Sequence, residues 1–99
     1  QGSTGTWWAS GTVTLNDTGA SASNFYAKLW DGTTVIASAN GIHNAAANLR
    51  TSISLSGYLA SPAGNLRISV RNPDSTTAVI EFNRTGNSKD STISVLRIA

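Results

Sequence analysis

The chain has 99 residues, which is enough for one domain around one hydrophobic core, and its formal net charge is +2. Only 12% of the residues are charged, about half the usual share of ~25% in globular proteins. The seven basic residues are dispersed along the sequence. A nucleic-acid-binding surface needs concentrated positive charge, so we expect no nucleic-acid partner.

The composition also limits the kinds of site. Without Cys, the chain has neither a disulfide framework nor a thiolate site. No apolar run approaches the ~20 residues of a membrane-spanning helix, so we expect no membrane insertion. The 14 Ser, 12 Thr and 9 Asn are typical of an extracellular or virion-surface domain with a hydroxyl-rich partner. Because Met is absent and Gln1 comes first, we expect residues 1–99 to be a single domain excised from a longer chain.

Alternating polar and apolar residues predict three strands in the first half of the chain. Residues 6–15 alternate with period two and end at the turn-forming residues 16–19. Residues 24–30 form the next strand, and an Asp-Gly turn joins it to residues 33–39 as a hairpin. Residues 40–48 are the least regular part of the chain, and their Asn and Gly content predicts a loop.

Four more strands are predicted in the second half, with turns or polar loops between them. They cover residues 50–59, 65–72, 77–83 and 92–98. With no convincing helix, the pattern predicts an all-β protein of seven to eight antiparallel strands. Several connections are longer than a two-residue hairpin, which favours strands that cross between two sheets. A jelly-roll or Greek-key β-sandwich is therefore the first choice, and an immunoglobulin-like sandwich is the second.

Two of these strands carry large apolar or aromatic groups on both faces. They are residues 24–30 and 92–98, whereas a two-sheet sandwich has only one interior. In the last strand, Ile93 and Val95 can face the core, which leaves Leu96 and Ile98 to a neighbouring chain. A β-bulge alone is the alternative explanation. The pattern predicts an oligomer whose interface includes Trp7, Leu96 and Ile98.

Five segments, in this order, carry a resemblance to a known family. They are residues 8–16, 28–35, 51–57, 63–68 and 93–98. The chain resembles the C-terminal jelly-roll domains of phage tail fibres and tailspikes, which look like the trimeric tumour-necrosis-factor and C1q group. The resemblance implies a homotrimer at a virion tail or extracellular fibre tip that registers the three chains or touches a host-surface glycan. It also implies that residues 1–99 are the C-terminal fragment of the longer chain. Fibre tips of bacteria related to phage tails are similar, and the sequence leaves the two origins open.

The aromatic residues are the first candidates for ligand contact, because an aromatic face stacks on the apolar face of a sugar ring. Trp30 is expected to fill the core or an interface rather than to bind a ligand. Adjacent Trp7 and Trp8 lie on opposite faces of a strand, so one of the two rings must leave the core. The candidate glycan-binding residues are the tryptophans, the tyrosines and the single histidine: Trp7, Trp8, Tyr26, Trp30, His43 and Tyr58.

The ionisable residues predict no enzyme, no metal site and no cofactor. His43 has no second histidine to work with, and we expect it to be a solvated loop residue. Four of the five acids fall in predicted turns, where Asp has a structural role, and Glu81 is the only carboxylate in a predicted strand. Glycoside hydrolysis needs two carboxylates that face each other across a cleft.

Two functions therefore compete. The first is a non-enzymatic trimeric tip or trimerisation domain of a phage tail fibre, tailspike or similar adhesive fibre, with a cell-surface glycan as receptor. The second is a monomeric carbohydrate-binding module from a polysaccharide-degrading enzyme. Oligomeric state discriminates between them.

Overall fold

A computed structural model describes residues 3–19, 22–44 and 49–99. Within these ranges it contains β-strands and no helix, and hence no helix that could cross a membrane. In chain order the strands are β1 (Thr6–Asp17), β2 (Ser23–Asp31), β3 (Thr34–His43), β4 (Thr51–Ala60), β5 (Leu66–Arg71), β6 (Ala78–Glu81) and β7 (Thr92–Arg97). All the pairings are antiparallel. The all-β class and the seven strands are confirmed.

The strands form two sheets. In sheet A, β1 pairs with β4 along one edge, and with β7 and then β6 along the other. In sheet B, β2 lies between β3 and β5. The chain thus passes from one sheet to the other between β1 and β2, β3 and β4, β4 and β5, and β5 and β6. These crossings are those of the predicted β-sandwich and are consistent with a jelly roll.

The core lies between the sheets and follows the period-two alternation of the strands. In β2, for example, Phe25, Ala27 and Leu29 are buried, and the side chains between them face the other way. β1 and β4 supply the opposite wall through the same alternation. The buried apolar residues are Ala9, Val13, Leu15, Phe25, Ala27, Leu29, Ile53, Leu55 and Leu59.

The predicted loop at residues 40–48 is wrong over its first part. β3 continues through Asn40 to His43, because each of these residues pairs with β2. Tertiary pairing here overrides the loop preference of Asn and Gly. Residues 45–48 lie outside the described residues. The register of β2 on β3 shifts between Leu29 and Trp30, and this β-bulge leaves Ile36 as the extra residue of β3.

One side of the sandwich is closed by the close approach of β3 to β4. Thr51 Oγ1 donates a hydrogen bond to the carbonyl oxygen of Ile42 (2.9 Å). Further along, Ile36 packs so closely on Gly57 that a Cβ at position 57 would overlap Ile36 Cγ2. The bulge brings Ile36 into the interior, and the glycine leaves room for it.

The opposite side of the sandwich is open. Ile93 and Val95 of β7 pair with Gly11 and Ala9, so they face the interior, yet 43% and 37% of their surface is exposed. Ile80 of β6 pairs with the buried Leu15 and is 53% exposed. The radius of gyration is 14.6 Å, against about 13 Å for a typical domain of ~100 residues. Sheet B therefore covers this side of sheet A only in part.

An ion pair fastens β6 to the beginning of β4. Arg50 Nε and Nη2 donate to Glu81 Oε2 and Oε1, at 2.8 and 3.2 Å. The hydrogen bonds from Arg50 lower the pKa of the Glu81 carboxyl from its ordinary value of 4.5. The pair thus stabilises a short edge strand that makes only four pairings with β1.

We predict that the substitution Gly57→Ala lowers the free energy of unfolding by about 1–3 kcal/mol, because the new methyl group overlaps Ile36. The additional substitution Ile36→Ala should recover part of this loss, with a coupling of about 1 kcal/mol or more. Urea denaturation of the four members of the cycle measures both effects. Ser54→Ala on the exposed face of β4 is the control. Strictly additive effects at positions 36 and 57 would contradict the proposed contact.

We also predict that the free energy of unfolding falls as the pH drops below about 4.5, and that Glu81→Gln reduces this dependence. The pKa of Glu81 is lower in the folded chain, so the unfolded chain binds more protons in this range and stability rises with pH. The contribution is complete above about 4.5 and is lost as the pH falls through the lowered pKa. Arg50→Gln should flatten the profile equally, whereas an unchanged slope in both variants would refute the assignment.

Candidate functional site

The outer face of sheet B carries the candidate site, and the burial of β2 determines which residues reach it. Because Phe25, Ala27 and Leu29 fill the core, the intervening Tyr26 and Trp30 must face outward. Trp30 was expected in the core or an interface, and the core placement is wrong. Its ring lies half-buried on the outer face.

The flanking strands add polar groups to the same face, since paired residues of neighbouring strands point to the same side. Tyr26 pairs with Asn40 of β3 and with Arg71 of β5, and Lys28 pairs with Ser38 and Ser69. These side chains line an open groove of about 660 Å³ that crosses the sheet. The volume lies within the range of ~300–1,000 Å³ that small-molecule sites occupy.

We name this groove, which is lined by residues of β2, β3 and β5, the sheet B groove. Trp30 lines one end of it. Its Nε1 donates a hydrogen bond to Ser69 Oγ (2.7 Å), which fixes the indole across β5. Arg67 Cζ lies 4.8 Å and Lys28 Nζ 5.4 Å from the centroid of the indole ring. Both distances fall within the range of cation–π attraction. Trp30 therefore holds two cations beside the groove.

Tyr26 forms the other end and is the more accessible ring. It is 41% exposed, and it has Asn40 on one side and Arg71 on the other. An exposed phenol ring with amide and guanidinium groups beside it has the composition of a saccharide-binding surface, in which the ring stacks and the polar groups contact hydroxyls.

The basic residues are dispersed along the sequence, as expected, but three of them lie close together in the folded chain. Lys28 of β2 and Arg67 and Arg71 of β5 come together on the outer face of sheet B. The alternation of residues 65–72 predicted that both arginines share a face. No local residue pattern indicates that β5 pairs with β2, and this pairing brings the arginines beside Lys28.

The other aromatic candidates lie elsewhere. Trp8 and Tyr58 stack edge to face on the outer face of sheet A, with ring centroids 4.8 Å apart. Trp7 faces the interior, packs against the core and donates from Nε1 to the carbonyl oxygen of Thr4 (2.8 Å). The prediction that one of the adjacent tryptophans leaves the core is therefore confirmed. Leu96 lies beside Trp8 in register and is 63% exposed.

His43 is not a solvated loop residue. It ends β3, is fully buried, and lies within hydrogen-bond distance of Leu49 and Asn16. Its Nε2 is 2.9 Å from the carbonyl oxygen of Leu49 and 3.1 Å from Asn16 Oδ1. Because a carbonyl only accepts, Nε2 carries the proton and donates. We therefore leave His43 out of the proposed binding surface, since it fastens the start of β4 to β1 and β3.

The acids have structural partners. Asp31 accepts hydrogen bonds from the backbone N–H groups of Ala63 (2.7 Å) and Asn65 (3.4 Å). Asp17 is buried, and its pKa is lowered chiefly by hydrogen bonds from the hydroxyls of Ser75 and Thr77. Within residues 3–19, 22–44 and 49–99, no three His, Asp or Glu side chains are close enough together to hold a metal ion.

Comparison of the chain with protein-family models, curated proteins and solved structures gave no match. The interpretation of function therefore depends on the sheet B groove and on the open side of the sandwich.

Proposed function

We propose that the chain is a non-enzymatic, saccharide-binding domain that assembles with further copies of itself at the tip of an extracellular or virion fibre. The sheet B groove is the observation that carries the binding part of this proposal. It combines an exposed tyrosine ring with amide, hydroxyl and cationic groups on a three-stranded sheet. On such a surface the aromatic ring can contact the apolar face of a sugar while the polar groups contact its hydroxyls.

The two ends of the groove have different roles in this proposal. Tyr26 supplies the stacking face, because its ring is exposed. Trp30 supplies a wall and holds Lys28 and Arg67, because these cations occupy positions over its ring. Asn40 and Ser38 line the floor and hydrogen-bond to ring hydroxyls. Cell-surface glycans and soluble polysaccharides both have sugar rings with apolar faces and hydroxyl groups.

We predict that Tyr26→Ala and Trp30→Ala each weaken binding to a glycan array at least about tenfold. The expected loss corresponds to ~1–3 kcal/mol for a truncated aromatic contact. The matched control is Tyr58→Ala, which removes an exposed ring from the other sheet. Loss of binding in the Tyr58 variant, with normal binding in the other two, would place the site on sheet A. Absence of any glycan binding by the unmodified chain would refute the saccharide-binding part of the proposal.

Assembly is supported by a separate observation, the uncovered interior residues of the open side. Ile93, Val95 and Ile80 face inward from sheet A, yet between about a third and a half of each side chain remains exposed. Burial of such side chains is worth roughly 1.5–3 kcal/mol each, so their exposure in a single copy is unfavourable. A second copy of the chain is the occupant that we propose, and the family resemblance implies three copies. Leu96 and Ile98 are also exposed, but Leu96 lies on the opposite, outer face of sheet A beside Trp8, so it does not belong to this surface.

We predict that the isolated chain has a mass in solution of three times its 10.3 kDa. Ile93→Asn and Val95→Asn should shift it to the mass of one chain, because they place amides on the proposed interface. Light scattering after size exclusion measures the mass, and circular dichroism verifies the fold. Thr92→Asn and Ser94→Asn, on the outward face of the same strand, are the matched controls.

A single-chain mass for the unmodified protein would refute assembly. If glycan binding persisted in that case, the chain would instead be a monomeric carbohydrate-binding module. The two parts of the proposal therefore fail independently.

A further inference from the structure

The cations of the chain are unevenly distributed over its surface. Lys28, Arg67 and Arg71 share the outer face of sheet B. Arg50 lies elsewhere and is paired with Glu81. No acidic side chain is among the described residues that line the sheet B groove.

The carboxylates at the two ends of β2, Asp31 and Asp74, do not line the groove. Asp31 ends β2 on the inward-facing side, where it accepts hydrogen bonds from the backbone of residues 63 and 65. Asp74 lies at the opposite end, where its Oδ2 accepts from the backbone N–H of Asn24 (2.9 Å) and from Asn24 Nδ2 (3.1 Å). The groove between them keeps a local excess of positive charge.

The cations are also held in place before any ligand arrives. Arg67 Nη1 donates a hydrogen bond to the carbonyl oxygen of Gly32 (3.1 Å), while its guanidinium lies over Trp30. Lys28 lies over the same ring. Groups that are already ordered lose less conformational entropy when they bind an anion. The indole therefore acts as a positioning residue for two cationic heads.

We infer that the sheet B groove selects an anionic saccharide, one that carries carboxylate or sulfate groups. This inference rests on the proposed function and names its ligand class. A sugar ring stacks on Tyr26 and its hydroxyls bond Asn40 and Ser38, while the anionic substituents pair with Lys28 and Arg71. Guanidinium and ammonium groups form their strongest hydrogen bonds with such oxygens.

A saccharide fits this surface better than a nucleic acid. The groove is lined by neutral hydroxyl and amide groups between its cations, and Tyr26 alone offers an exposed ring. Single-stranded nucleic acid is bound by successive stacking rings along a continuous basic track. Three cations across one short sheet match a few anionic substituents on a short oligosaccharide.

The test compares saccharides that share one backbone and differ in charge. Calorimetric titration of the full chain with hexagalacturonate and with its fully methyl-esterified form measures the contribution of the carboxylates. A chondroitin sulfate hexasaccharide and its desulfated form do the same for sulfate. We expect at least one charged form to bind about tenfold or more tightly than its partner of lower charge, because hydrogen bonds to ionised groups are stronger than those between neutral groups. This preference should shrink as salt is raised.

Charge-matched variants locate the effect. The double substitution of Lys28→Gln and Arg71→Gln should abolish the preference for the charged form. Arg84→Gln with Lys89→Gln removes the same net charge from the 82–91 segment, outside the groove, and should preserve the preference. Equal loss in both double variants would overturn the inference, since it would reveal only a long-range effect of net charge.

The possible outcomes distinguish the preference for anionic saccharides from saccharide binding itself. Equal binding of charged and neutral saccharides would overturn the inference and leave saccharide binding in place. Failure of every saccharide to bind would overturn both. Tighter binding of a twelve-residue oligothymidine than of any saccharide, lost in the Lys28 and Arg71 double variant, would identify the groove as a nucleic-acid site instead.

Discussion

Burial of Phe25, Ala27 and Leu29 on the inner side of β2 is the constraint on which the rest of the site depends. An antiparallel strand turns alternate residues to opposite faces, so this burial sends Tyr26 and Trp30 outward. A shift of one residue in the register would exchange the core and the groove completely. The pairings with β3 and β5 then place hydroxyls, an amide and two arginines around the exposed rings. Stability and binding therefore use the two faces of a single strand.

The two outer faces of the sandwich differ in chemistry. On sheet A, β1 and β4 present mainly hydroxyls, with the hydroxyl oxygens of Thr12 and Ser54, and of Thr14 and Ser52, 3.4 Å apart. Trp8 and Tyr58 close one end of that face. Sheet B combines rings with cations. This contrast supports different roles for the two faces, although both derive from strands with the same alternation.

Much of the fold could be predicted from residue patterns, because alternation is a local property of each strand. All seven predicted strands are present, and the placement of Trp7 and Trp8 on opposite faces follows from their adjacency. His43 was misplaced because its burial depends on Asn16 and Leu49, and Asn16 is 27 positions away. The cluster of Lys28, Arg67 and Arg71 was missed for the same reason. Local patterns show which way a side chain points but not which strand lies beside it.

The edge of β1 that β6 and β7 share is interrupted between them. The pairing with β7 ends at Thr12 of β1, and the pairing with β6 begins at Thr14. The Ser91 hydroxyl links β1 and β6 at this point, because it accepts a hydrogen bond from Thr14 N–H and donates one to the carbonyl oxygen of Glu81. Residues 82–91 thus leave the sheet after β6 and return to it at β7. The register of either strand on β1 does not depend on them. A Cβ at Gly86 would meet no other atom within 4 Å. This segment is consequently the natural position for extra residues, such as a peptide tag or a fluorophore, that would leave both sheets as they are.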